Sequence, residues 1–274
     1  MLVISVKFVL NPSRFLIIYF SLLSEKINIP NKRGQVLSAC LDTPEGSKPK
    51  TYAIFAHCFT CSKDLKAISN INYSLSVHGI AVLRFDMTGI GESEGIFEET
   101  NFTTQLQDFA AVTEFVSAKY EKPKLAIGHS LGGCVAINSA RSIDSFKAVA
   151  VIASPPEPSA LSVKLKKTRE QAFKEGIAER EIGGVKYKFT PQFFEDIESY
   201  SLKQDIQNLK KPLLILHSPA DTYSHISNSE IIYDLASQPK SLVSLDDIDH
   251  LMLKKSDARY VGNLIGSWFA KYNK

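Results

Sequence analysis

The 274-residue sequence has no long basic block: 32 Lys and Arg face 29 Asp and Glu, leaving a net charge of only +3. Nucleic-acid binders usually carry a clustered basic footprint, so that class of partner is not expected. The densest cationic stretch, KLKKTRE (164–170), reads as the solvated face of a helix. A long apolar run is also missing. The N-terminal MLVISVKFVLNPSRFLIIYFSLLSEK is apolar, but Lys7, Asn11, Pro12, Ser13 and Arg14 interrupt it. Its longest uncharged run, Phe15 to Ser24, is about half the ~20 residues that a membrane-spanning helix needs. No A-x-A-like cleavage site follows. Residues 1–23 are therefore read as an extension of uncertain role upstream of a domain over 24–274, with no stable membrane insertion and a cytoplasmic location. Cysteine is scarce: Cys40, Cys58, Cys61 and Cys134 are the full set. No second close Cys/His pair follows Cys58-x-x-Cys61 to complete a zinc site, so no metal is expected. The same spacing would suit a redox pair, but its surroundings match a thioredoxin-like motif only in part, and the four are read as partly buried free thiols in a reducing compartment. Internal repeats and low-complexity linkers are lacking too.

What is present from residue 36 onward is an alternation of short apolar runs with helical patterns. QVLSACLDTPEG, TYAIFAH (51–57), IAVLRFD (80–86), KLAIGHS and FKAVAVIAS (146–154) read as strands. DLKAISNINYSLSVHG (64–79), TTQLQDFAAVTEFVSAKY (103–120) and LGGCVAINSARS read as helices between them. Strands apolar throughout and separated by helices imply a mostly parallel, doubly wound α/β sheet covered on both faces. The pattern breaks at PPEPS (155–159), and 155 to about 210 reads as an inserted cap with a hairpin around Gly183-Gly184. Order resumes with KPLLILHSPAD (211–221), helix 227–237, strand 241–247 and a terminal helix over 256–272.

Gly128-His129-Ser130-Leu131-Gly132 fits G-x-S-x-G between a strand and a helix. Such a turn holds a serine hydroxyl clear of the sheet edge, at a helix N-terminus whose amides favour negative charge. A serine hydroxyl is a poor nucleophile and needs a base, which in turn needs an orienting carboxylate. Asp221 and His250 follow later predicted strands in the order this mechanism requires, at the carboxyl ends where open α/β sheets place their sites. Among the other histidines, His57 precedes Ser130, although it ends a strand and is a candidate substrate contact. His78 lies at a helix end, His129 should point away from the hydroxyl, and His217 is buried at a strand end. His225 is the one serious rival. Asp246, Asp247 and Asp249 are expected to shape the His250 loop, and Asp86 the DMTGIGES turn. The oxyanion donors are expected to be the backbone amides of Leu131 and Phe59. Cys58 stands where such a loop often has glycine, which narrows the dihedrals open to it. Phe193 and Phe194, with Phe173 and Phe189, either line an acyl pocket or form the cap's own core.

AHCFTCSKDLKA, RFDMTGIGESEG, GHSLGG, HSPAD and DIDHLML, in this order, resemble α/β-hydrolases, over roughly residues 24–272. More narrowly they are similar to the bacterial serine hydrolase branch fused to, or associated with, OsmC-like domains. The resemblance implies the α/β-hydrolase fold, the same roles for Ser130, Asp221 and His250, and Cys58 and Cys61 as part of the oxyanion loop. No cofactor is expected, and the resemblance implies a functional link to a separately encoded OsmC-like protein as the candidate partner. The function expected is cleavage of a small carboxylic ester through an acyl-enzyme. A non-catalytic binding protein on this fold, and a haloperoxidase or C–C hydrolase using the same three residues, stay open as alternatives.

Overall fold

The computed structural model describes residues 22–273, so most of the N-terminal extension lies outside the described residues. The first strand, β1 (Leu22–Pro30), pairs antiparallel with β2 (Val36–Pro44). Residues 22 and 23, assigned from sequence to the extension, thus belong to the sheet. β3 (Thr51–Ala56), β4 (Ile80–Phe85), β5 (Leu125–His129), β6 (Ala148–Ile152), β9 (Leu213–His217) and β10 (Lys240–Ser244) complete eight strands in the order β1-β2-β4-β3-β5-β6-β9-β10. β2 pairs antiparallel with both its neighbours, and every other pairing from β4 outward is parallel. This is the doubly wound sheet expected from the sequence.

Alternation explains how strands that are apolar on both faces can serve two cores. In β3, Ala53 and Phe55 point to one face and Ile54 and Ala56 to the other; in β9, Leu214 and Leu216 oppose Leu213 and Ile215. One face is covered by α1 (Lys66–Val77) and α9 (Lys255–Phe269), which supply Ile68, Ile71 and Leu75 against Val261, Ile265 and Phe269. Gly262 makes that approach possible, since a Cβ there would lie 2.5 Å from the carbonyl oxygen of Ile71. The opposite face takes α2 (Phe102–Lys119), α3 (Leu131–Ser142) and α8 (Ser227–Leu235). α2 starts at a capping box in which Asn101 and Thr104 exchange side-chain and backbone hydrogen bonds.

The segment after β6 forms a cap. It holds α4 (Ala160–Lys164), α5 (Lys166–Glu175), the hairpin β7 (Ala178–Ile182) and β8 (Val185–Phe189), α6 (Pro191–Ser199) and α7 (Leu202–Gln207). Gly183 and Gly184 turn the hairpin with φ of 59° and 81°, a left-handed pair that disfavours residues with a Cβ. Among the described residues no helix is long and apolar enough to cross a membrane.

Candidate active site

Ser130 sits between β5 and α3 with φ 54° and ψ −123°, a strained conformation for a residue with a side chain. Its neighbours show why the chain accepts it. A Cβ on Gly128 would lie 2.1 Å from the carbonyl oxygen of Gly132, and one on Gly132 would lie 2.3 Å from that of Ala56. Both are contacts with backbone, which has no rotamer by which to escape. The elbow is fastened by Ser130 N–H donating to Ile152 O and Gly133 N–H donating to Ser130 O, each at 2.8 Å.

Asp221 lies four residues past the end of β9. Its Oδ1 accepts from the amides of Tyr223 and Ser224, each at 2.8 Å, while Oδ2 faces Nδ1 of His250 at 2.6 Å. Burial works to raise this carboxyl, but the His250 hydrogen bond and the Ser224 and Tyr223 amides outweigh it and hold Asp221 below the usual carboxylate range. His217 steadies the same loop, its Nε2 lying 2.7 Å from Ser224 O. His250 comes from the loop between β10 and α9. Asp249 shapes that loop as expected, accepting the amides of Leu251 and Leu253 at 3.0 Å each. In the neutral ring, Nδ1–H of His250 donating to Asp221 leaves the lone pair on Nε2. Ser130 and His250 line one cavity of about 420 Å³.

His129 has a role that the sequence did not show. It lies buried beneath His250, ring centroids 5.1 Å apart, with Nε2 at 2.8 Å from the His250 carbonyl oxygen. Burial, aided by the neighbouring His250, pushes His129 down to about 3, so the ring is neutral and Nε2–H is the donor. Its Nδ1 is buried without a partner. Only a partner 121 residues away in sequence reveals this contact. His225, the rival base, is exposed and pairs Nδ1 with Ser227 Oγ at 2.8 Å. Asp86 accepts from Lys63 and from the amide of Glu92, which organises the turn after β4.

Phe59, Ser130 and Leu131 border a shared small cavity beside the serine. Leu131, first residue of α3, has an amide with no partner one turn back in its own helix. Three expectations are corrected here. His57 is 4% exposed, with Nδ1 at 2.7 Å from Cys58 O and Nε2 accepting the amide of Met87 at 3.2 Å. Neither ring nitrogen is left for a substrate; His57 braces the loop from below. Phe193 and Phe194 are buried in the cap's aromatic core with Phe189, at centroid distances of 5.2 and 6.0 Å from it, and do not border the large cavity. That cavity is walled instead by Ile182, Val185 and Tyr187 of the hairpin, with Tyr223 and Leu251. Finally, Cys58 and Cys61 are not free thiols but a disulfide, whereas Cys40 and Cys134 are free and buried.

Residues 48–175 match the family described as serine aminopeptidase, S33. The esterase domain of a Rhodothermus marinus protein is 38% identical, with a TM-score of 0.74 over 92% of this chain and 100% of that one. The chain belongs to the α/β-hydrolase family. Est1E from Butyrivibrio proteoclasticus, solved with ferulic acid bound, shares the fold at 21% identity and a TM-score of 0.75, covering 90% of this chain and 98% of that one. The lysophosphatidylserine lipase ABHD12 of Danio rerio is 29% identical over 171 residues, 61% of this chain but only 42% of that protein.

Proposed function

We propose that the chain is a serine hydrolase that cleaves a small carboxylic ester through an acyl-enzyme. The observation that carries this reading is the 2.6 Å Asp221–His250 pair opening on the same cavity as Ser130 on its strained elbow. Ser130 Oγ attacks the acyl carbon and His250 Nε2 takes its proton. Asp221 fixes the tautomer and stabilises the imidazolium. The amides of Leu131 and Phe59 receive the oxyanion. His250 then protonates the leaving alcohol, and water, activated by the same ring, releases the acid. The apolar wall of Ile182, Val185, Tyr187 and Leu251 suits an aliphatic or aromatic acyl group. HCFTCSKD (57–64) supports placing the chain in the branch that works beside OsmC-like domains, which co-purification from the native host would test.

A chain-length series of p-nitrophenyl esters on wild type and Ser130→Ala is the direct test. Ser130-dependent turnover and fluorophosphonate labelling are expected. Labelling that survives the substitution removes Ser130 from the mechanism. No turnover on any ester leaves a ligand-binding hydrolase fold.

A further inference from the structure

The loop after β3 carries a covalent tie that the ester chemistry does not use. The Cys58–Cys61 disulfide closes a loop whose two inner residues are Phe59, the expected oxyanion donor, and Thr60, held at φ 56°. Both ends of this loop are anchored. The Cys58 carbonyl receives the amide of Cys61 at 3.1 Å and Nδ1–H of His57 at 2.7 Å. Two residues past Cys61, the fully buried Lys63 ammonium reaches Asp86, Asp64 and Glu92 at 2.9, 3.0 and 2.7 Å. Between fixed ends, the S–S bond is the element of the loop that can change without a change of sequence. Cys58 and Cys61 also border the 420 Å³ cavity with Ser130 and His250, so a small thiol that enters as a substrate would meets them. Cys58 is buried and Cys61 half-buried, so Cys61 is the more exposed partner of the pair.

We propose that Cys58–Cys61 is a redox-active site that exchanges with a small dithiol in the substrate cavity, and that its oxidation state sets the rate of acyl transfer at Ser130 by holding or releasing the Phe59 amide. The rate coupling rests on the hydrolase reading above; the redox site does not. A thiolate of the dithiol attacks Sγ of Cys61, the Sγ–Sγ bond breaks, and its electron pair leaves on Sγ of Cys58. The second thiol of the reagent then attacks the reagent sulfur of the mixed disulfide and expels Cys61 as a thiolate. Two electrons pass from dithiol to protein, the two thiol protons end on Cys58 and Cys61, and the reagent leaves as a cyclic disulfide. The other two cysteines do not compete: burial raises both thiols, that of Cys134 to about 12.

The experiment uses the full chain in native buffer, with and without dithiothreitol, followed by denaturing alkylation and intact mass. Labelled thiols are expected to rise from the two of Cys40 and Cys134 to all four. Amide hydrogen exchange in the peptide spanning 57–63 should increase on reduction. Loss of one preorganised oxyanion donor costs up to ~10²–10³ in kcat, so a partial release of Phe59 should lower kcat by about tenfold with KM little changed. Diamide, which takes the two electrons back, should restore it. Cys61→Ser should be slow throughout and deaf to dithiothreitol; the wild-type comparison stands even if that variant folds poorly. A pair that stays oxidised in native protein overturns the proposal, as does reduction that moves neither exchange nor kcat. Absence of turnover in both states sinks the hydrolase reading and the rate coupling with it, while thiol count and exchange still decide the redox site.

Discussion

The carboxyl edge of the sheet and the cap above it are built on opposite terms. At the sheet edge, fixed backbone and one buried ring hold the candidate catalytic residues: the Gly128 and Gly132 contacts fix Ser130, two amides fix Asp221, and the His129 ring holds the His250 carbonyl. The cap hairpin that walls the cavity is open by contrast. Val185 is 51% exposed, and a Cβ on Gly183 or Gly184 would meet nothing within 4 Å. The difference separates two tasks. Chemistry needs positions fixed within a fraction of an ångström, whereas selection among acyl groups tolerates, and exploits, a wall that can vary.

Substitutions can break that contrast, and the largest effects belong at the sheet edge. Ser130→Ala should lower kcat by about 10⁴-fold or more while leaving the urea midpoint near that of wild type. Asp221→Asn keeps the shape but misdirects the His250 tautomer, and about 10³–10⁴-fold in kcat is expected to go. Gly132→Ala acts on stability: its Cβ would collide with the Ala56 carbonyl oxygen, at a cost of about 3 kcal/mol in chemical denaturation. His129→Leu strips the donor from the His250 carbonyl, a loss of about 1–2 kcal/mol that should appear as roughly tenfold in kcat. In the cap, Val185→Ala should shift KM across an acyl-length series yet move stability by no more than about 0.5 kcal/mol. A cap substitution that cost as much as Gly132→Ala would erase the distinction.

Legibility in the sequence follows the same line. The inner strands β3 to β6 and β9, and the elbow, could be read because fully buried parallel strands and tight glycine turns leave few residue choices. Asp221 and His250 could be placed because chain order and strand ends restrict them. β1 does not declare itself as a strand in the sequence, because just Ile27 and Ile29 are buried and its first residues are largely exposed. His57 looked like a site residue because a histidine at a strand end reads alike whether it faces the cavity or lies under the loop. Phe193 and Phe194 could have been either lining or core, since helical spacing does not say which layer a helix faces. The cysteine spacing was compatible with thiols or a disulfide, and only the turn of the chain between them decides.

Phe59 has one further consequence. Its ring lies 5.8 Å from Phe193 and 6.2 Å from Phe189 in the cap, and 6.1 Å from Phe97, which follows β4. A residue of the sheet's own loop thus packs against the aromatic core of the insertion. Cap and sheet should therefore melt in one cooperative transition, because neither can open without uncovering the other's aromatic rings.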